Sequence, residues 1–254
     1  MDPTSNDPVC ENPAPALSEG RAALVPVAHL LHTLVLIAFL LVNSWLSARS
    51  PHLVTGAYGK ILLYLRNIGW ECAAVAYVWW GVRRRTSLRE LVGGRWRSAQ
   101  EVIGDAALGA VVWLAIMLLL GVLAAALGML KADSVERLHE ARQRLGFLLP
   151  GSGVEVALFC VMSAAAGFCE EVVFRGYLQR QLAALTGSER VAIVAQALLF
   201  GAAHGYQGVR RMLLIAAEGV LLGVLALWRK SLRPGMVAHA MQDAITGMLA
   251  HRLR

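Results

Sequence analysis

Apolar residues run along this chain in blocks separated by short polar stretches, and most blocks are apolar on every side rather than along one stripe. A helix that is apolar all round belongs in the core of a large protein or in a bilayer. Crossing about 30 Å of hydrocarbon takes about 20 residues of helix, and helix satisfies its own backbone polar groups there. That template predicts spans at residues 24–46, 58–82, 102–130, 154–185, 191–204, 212–228 and 234–249. The expected fold is an all-α, polytopic membrane bundle of about seven transmembrane helices. The 191–204 block is short for a crossing, which calls for tilt, burial among neighbours or continuation past His204.

The separators Thr186-Gly187-Ser188, Gly205-Tyr206-Gln207-Gly208 and Arg229-Lys230-Ser231-Leu232-Arg233 are too short for independent domains, and no internal repeat is present. The chain divides into a Pro-, Ser- and Asn-rich tail at 1–22, expected to be disordered; N-terminal spans at 23–153; and a C-terminal bundle at 154–254. Neither the basic start nor the early apolar core of a cleavable signal peptide precedes Leu24. Within 133–149, Val135, Leu138, Leu145 and Leu149 fall at near-helical spacing behind an Asp133/Glu136 capping pattern, predicting an amphipathic helix on the outer surface.

Composition agrees with the pattern: 57% of the 254 residues are hydrophobic and 16% charged. The net charge of +7 does not indicate nucleic-acid binding, because the arginines fall mainly between apolar blocks, where they read as topology signals and anionic-lipid contacts. The densest cluster, Arg83-Arg84-Arg85 with Arg89, Arg95 and Arg97, predicts a cytoplasmic loop and a cytoplasmic N-terminus. Seven spans then put the C-terminus outside, against the pull of Arg252 and Arg254. Cys10, Cys72, Cys160 and Cys169 have no CxxC spacing and imply no disulfide framework. His29 and His32 in the first span read as packing residues, and Glu71 is the one acid of the second.

The chemistry concentrates in the C-terminal four blocks. Ionised side chains at bilayer depth are costly, so Glu170, Glu171 and Arg175 inside one apolar block mark a candidate functional site. Glu171 and Arg175, four apart, share a helical face and can pair, while Glu170 lies about 100° round and points elsewhere. Phe200 stands one turn before His204, with small residues between them that permit close helix approach. His239 and Asp243 repeat the four-residue spacing in the last block. In lipid such groups are buried against one another or around water, so the four blocks are expected to converge on one site.

EExxxR at Glu170, Glu171 and Arg175, FxxxH at Phe200 and His204, and HxxxD at His239 and Asp243 resemble, in order, the three motifs of the CPBP intramembrane glutamic proteases. That family groups CAAX prenyl endopeptidases (type II CAAX proteases) with bacterial bacteriocin-processing and self-immunity, or Abi, proteins. The resemblance covers residues 154–249. It implies a glutamic endopeptidase with no metal or other cofactor, acting on a membrane-associated peptide or protein; the short chain and its composition point to a bacterial cell (inner) membrane. Glu170 would activate water as general base, His204 would help hold it, Glu171 and Arg175 would be the supporting pair, and His239 would face the substrate carbonyl.

The pattern departs from the family at Asp243, where the best-known members carry asparagine, whose amide can donate to an oxyanion; an ionised aspartate cannot. A protonated Asp243, an Asp243 that orients His239 and an altered site are all open, and Asp243 acting through His239 is the reading adopted. Two alternatives stand beside the protease. Glu, His, His and Asp are an acceptable zinc set for a metal-dependent membrane protease, although HExxH is lacking. The same fold could also serve as a non-catalytic immunity or scaffold protein. Oligomeric state has no signal in the sequence.

Overall fold

The computed structural model describes residues 25–49, 59–129, 146 and 148–252. The N-terminal tail with Cys10, nearly all of the amphipathic helix expected at 133–149, and Arg254 lie outside the described residues. The described chain is helical, with no strand among the described residues. Its elements are α1 (Leu30–Arg49), α2 (Gly59–Val82), a short α3 (Leu88–Val92), α4 (Ala99–Ala126), α5 (Gly153–Glu170), a π-helical segment (Glu171–Leu178) leading directly into α6 (Gln179–Thr186), α7 (Glu189–Ala203), a 3₁₀ turn (Gly205–Gln207), α8 (Val209–Arg229) and α9 (Arg233–Arg252).

Helix starts follow local chemistry. Ser87, Ser98, Ser152 and Ser188 each sit in extended backbone and accept from an N–H of the first turn, satisfying donors that the helix cannot. At α3 the reciprocal bond is also present, Glu90 accepting from the Ser87 N–H, which completes a capping box. These hydrogen bonds hold the exposed Glu90 carboxyl below the usual glutamate range.

Four helices are long and apolar enough to cross a membrane: Leu30–Arg49, Ala99–Ala126, Gly153–Thr186 (α5 through α6) and Val209–Arg229. The other three expected spans coincide with helices that are more polar or shorter. Helix α2 carries Lys60, Arg66, Asn67 and Glu71, α7 has only 15 residues, and α9 contains Arg233, His239 and Asp243.

The burial pattern is that of a protein in lipid. Leu118, Val209 and Ile103 are at least two-thirds exposed, whereas Glu171 and Arg175 are fully buried along with Gln181, Gln196, Glu218 and His239. The interior glutamines satisfy backbone. Gln181 Oε1 accepts from the N–H groups of Val27 and Ala28 while its Nε2 donates to the Ala28 carbonyl, tying the segment before α1 to α6. His32 fulfils its expected packing role, stacked at 3.9 Å on Tyr77.

The basic loops gather at one end of the bundle. Arg85 donates to the Pro26 carbonyl, Arg180 to the Leu91 carbonyl, and the Leu232 N–H to the Val92 carbonyl, bringing the α2–α4 and α8–α9 connections together. Asp105 serves this end. It accepts from Trp96 Nε1 at 2.8 Å and pairs with Arg233 at 2.9 Å, so it anchors α4 to α9. At the opposite end Lys60 and Tyr64 donate to the carbonyls of Leu149 and Leu148.

Candidate active site

Close approach of two helices sets the site. A Cβ on Gly167 would stand 2.7 Å from the Met236 carbonyl oxygen, so α5 and α9 meet there backbone to backbone. One turn later α5 ends at Glu170 and the π segment begins at Glu171, and one turn beyond Met236 α9 presents His239. A second close contact brings in α7: a Cβ on Gly201 would lie 2.5 Å from the Met212 carbonyl oxygen of α8. Helix α7 ends there, with His204 as its C-cap. Continuation of the helix past His204 does not occur, because Gly205–Gln207 turns the chain into α8.

The helix changes to π geometry at Glu171, and all eight residues of Glu171–Leu178 are buried. The hydrophobic pattern predicts an ordinary α-helix here, since periodicity carries no signal for an isolated π segment; such segments occur frequently at functional sites. Glu171 and Arg175 pair as expected, Arg175 Nη1 donating to Glu171 Oε1 at 2.8 Å.

The same Glu171 oxygen lies 3.1 Å from His239 Nδ1. A carboxylate paired with arginine can only accept, so Nδ1 carries the proton and His239 turns Nε2 toward the other acids. Nε2 is 3.6 Å from Glu170 Oε2 and 3.8 Å from Asp243 Oδ2. His204 has the same polarity: Nδ1 donates to the Phe200 carbonyl at 2.9 Å, which leaves Nε2 at 3.9 Å from Glu170 Oε1. Glu170 therefore stands between two imidazole Nε2 atoms whose Nδ1 protons are already committed. Neither distance is a direct hydrogen bond, and Glu170 Oε2 is buried with no partner among the described residues.

Phe200 is the apolar centre of this arrangement. Its ring meets Phe174 and His204 edge to face at 4.9 Å and His239 at 5.7 Å, and the Arg175 guanidinium lies 4.2 Å over its face. The seven residues singled out from sequence, on α5, the π segment, α7 and α9, are thus brought together. Asp243, expected to act through His239, lies with Oδ2 3.8 Å from His239 Nε2. The hydrogen bond that holds the His239 ring comes from Glu171, while Asp243, with its side chain 42% exposed, stays outside hydrogen-bond distance of Nε2.

A cavity of about 380 Å³ opens beside Glu170 and His204, lined also by Asn43, Asn67, Glu71 and Tyr206. Its walls include α1 from Phe39 to Ser47, α2 from Leu63 to Ala74, and Leu148, which places it toward the end of the bundle away from the arginine-rich loops. Sequence reasoning assigned no site role to Glu71, Glu218 or Tyr206. Glu71 lies within electrostatic reach of Glu170, His239 and Asp243, and buried Glu218 within reach of His239 and Arg175. The signal that finds Glu170, an acid within an apolar block, is present for both. Tyr206 has no such signal; it lies 6.1 Å from the His204 ring, where burial pushes its phenol up to about 12.

No group of three His, Cys, Asp or Glu side chains among the described residues is arranged to hold a metal ion. Residues 152–245, the segment that contributes every one of the seven residues, match the family model described as Rce1-like, type II CAAX prenyl endopeptidase. Neither a curated protein nor a solved structure gives a significant match.

Proposed function

We propose, for a chain that belongs to the CAAX/CPBP protease family through its residues 152–245, that it is an intramembrane glutamic endopeptidase. The observation that carries the reading is the position of Glu170 between His204 Nε2 and His239 Nε2, beside a cavity large enough for a peptide segment. Glu170 Oε1 and His204 Nε2, whose Nδ1 proton goes to the Phe200 carbonyl, are two acceptors that share no proton, which favours a donor between them. A water within reach of Glu170 Oε1 and His204 Nε2 donates to both, and its oxygen is left free to attack.

Glu170 takes the proton of that water as the oxygen adds to the scissile carbonyl carbon. The C–N bond then breaks as Glu170 returns the proton to the leaving nitrogen, yielding a carboxylic acid and an amine. His239, with Nδ1–H given to Glu171, donates to the developing oxyanion from Nε2 as the doubly protonated ring. Glu170, Glu171 and Asp243 supply the negative charge that this form requires. Arg175 holds the Glu171 carboxyl in place. The substrate is a membrane-associated peptide or protein segment, and the enzyme resides in a bacterial cell (inner) membrane.

A comparison of membrane proteomes between cells carrying the wild type and Glu170→Gln tests this. An accumulated precursor in the variant, with wild-type processing that survives a chelator, is the expected result. Loss of processing on chelation would return the metal-dependent reading, and identical proteomes would remove the protease reading altogether. Asp243 motivates one other reading, a non-catalytic immunity or scaffold protein, since a carboxylate stands where the family's best-known members place an amide donor. A Glu170→Gln protein that still performs its cellular role would select it.

A further inference from the structure

Of the residues given roles in hydrolysis, Glu170 and His204 stand on the wall of the cavity of about 380 Å³, and His239 and Asp243 do not. A carbonyl seated in the cavity therefore has His239 behind Glu170 and, on its open side, no donor from that set. Tyr206 fills this place. It belongs to the 3₁₀ turn Gly205–Gln207, which is fixed to α1 where Ser44 Oγ accepts from the Gly205 N–H and donates to the Ala202 carbonyl. Its ring lies 6.1 Å from the His204 ring at an interplanar angle of 34°, and it shares the cavity wall with His204 and Glu170. The phenol oxygen itself faces the site, since it lies within electrostatic reach of Glu170 at the end of α5, Glu71 on α2 and Asp243 on α9.

Gln207 decides what the hydroxyl can do. Its Nε2 donates to the Tyr206 oxygen at 3.2 Å, which occupies a lone pair and leaves the O–H proton to be given elsewhere. No acceptor for that proton lies within hydrogen-bond distance among the described residues. Burial holds the phenol up at about 12, so the proton stays on oxygen at neutral pH. Other donors on the wall are less well placed: Asn67 Nδ2 is turned to the Met162 sulfur at 3.8 Å, and Asn43 and Arg66 are exposed.

We propose, resting on the endopeptidase reading above, that Tyr206 is a further catalytic residue whose O–H donates to the carbonyl oxygen of the scissile bond, and that Gln207 positions it. As the water oxygen bonds to the carbonyl carbon, the C=O π pair moves onto oxygen, and the charge that develops there strengthens the hydrogen bond from the phenol. The phenol keeps its proton throughout. The proton of the water passes through Glu170 to the leaving nitrogen, so atoms and charge balance with no further reactant. From the turn between α7 and α8, Tyr206 thereby supplies the neutral donor that an ionised Asp243 cannot.

The test follows cleavage, by the full chain purified into nanodiscs, of the precursor that accumulates in Glu170→Gln membranes. Tyr206→Phe keeps the ring and removes the donor; kcat should fall about 100-fold with KM within about threefold of wild type, because the lost bond is made chiefly in the transition state. Gln207→Glu turns the pair around, since an ionised carboxylate can only accept and draws the phenol proton to itself; kcat should fall about 30-fold, again with KM little changed. Thermal unfolding near that of the wild type shows that packing is intact in each variant. Wild-type kcat in Tyr206→Phe, or a change confined to KM, overturns the proposal. If Tyr206→Phe does not fold, wild-type kcat in Gln207→Glu overturns it equally. A precursor that the wild type leaves uncleaved removes the endopeptidase reading and this role with it, whereas cleavage that Tyr206→Phe leaves unchanged removes this role alone.

Discussion

Glu171 and His239, 68 positions apart in sequence, form the hydrogen bond on which the candidate site turns: Glu171 Oε1 lies 3.1 Å from His239 Nδ1 while Arg175 Nη1 holds the same oxygen at 2.8 Å. The adjacent carboxylates of the EE pair therefore do different work. Glu170 faces the cavity, and Glu171, fully buried, sets the tautomer and orientation of the imidazole behind it.

Glu171→Gln is expected to lower activity far more than Asp243→Asn. The first replaces a carboxylate that can only accept with a neutral amide whose NH2 can face His239 Nδ1, and in comparable carboxylate–imidazole pairs this costs roughly 100-fold or more. It also leaves the buried Arg175 unpaired, with a stability loss of about 3–5 kcal/mol. The second alters a partly exposed neighbour at 3.8 Å and is expected to stay within about fivefold of wild type. Parallel rate and thermal-unfolding measurements on the purified variants decide this; a larger loss for Asp243→Asn would restore Asp243 as the orienting group.

Gly167→Val should weaken the α5–α9 contact. A Cβ at Gly167 already falls 2.7 Å from the Met236 carbonyl oxygen and 2.8 Å from the Ala240 nitrogen, both backbone atoms that cannot move without shifting α9. The expected cost is about 1–3 kcal/mol by overpacking, with His239 displaced from Glu170 and activity lost in proportion. Gly69→Val, where a Cβ meets nothing within 4 Å, is the matched control.

The cavity beside Glu170 should be reached from the face opposite the arginine-rich loops. In a background with the native cysteines replaced, Ser47→Cys on the cavity wall is expected to react with a membrane-impermeant maleimide added outside intact cells. Arg97→Cys, in the basic loop, should react only after permeabilisation. The reverse pattern would invert the topology read from the arginines.

The capping box at α3 predicts a local pH dependence. Glu90 is held below the usual glutamate value by its hydrogen bonds to Ser87 and Thr86. A carboxyl lowered on folding contributes stability that is present above its unfolded value and is lost as pH falls through the folded one. Protection factors at the α3 amides, taken relative to the intrinsic exchange rate at each pH, should therefore fall as pH drops below about 4, and Glu90→Gln should remove that dependence.

The helical architecture and the membership of the site are legible in the sequence for one reason: burying charge in lipid is expensive, so Glu170, Glu171, Arg175, His204, His239 and Asp243 stand out against their apolar surroundings. Helical spacing also places Glu171 and Arg175 on one face, and they pair. Glu71 carried the same signal in a block without a motif, and only the packing of α2 beside α5 brings it to the cavity.

By itself, then, the sequence determines which residues must find partners inside the bundle and on which helices they lie. The tertiary structure alone decides who the partners are. Spacing along one helix defines a face but not the rotation or depth of the helix opposite, and those follow from where Gly167 and Gly201 let backbones touch. That is why Asp243, four residues from His239 on its own helix, was the natural orienting group in sequence, and why Glu171, reaching across from the π segment, holds the ring in the folded protein.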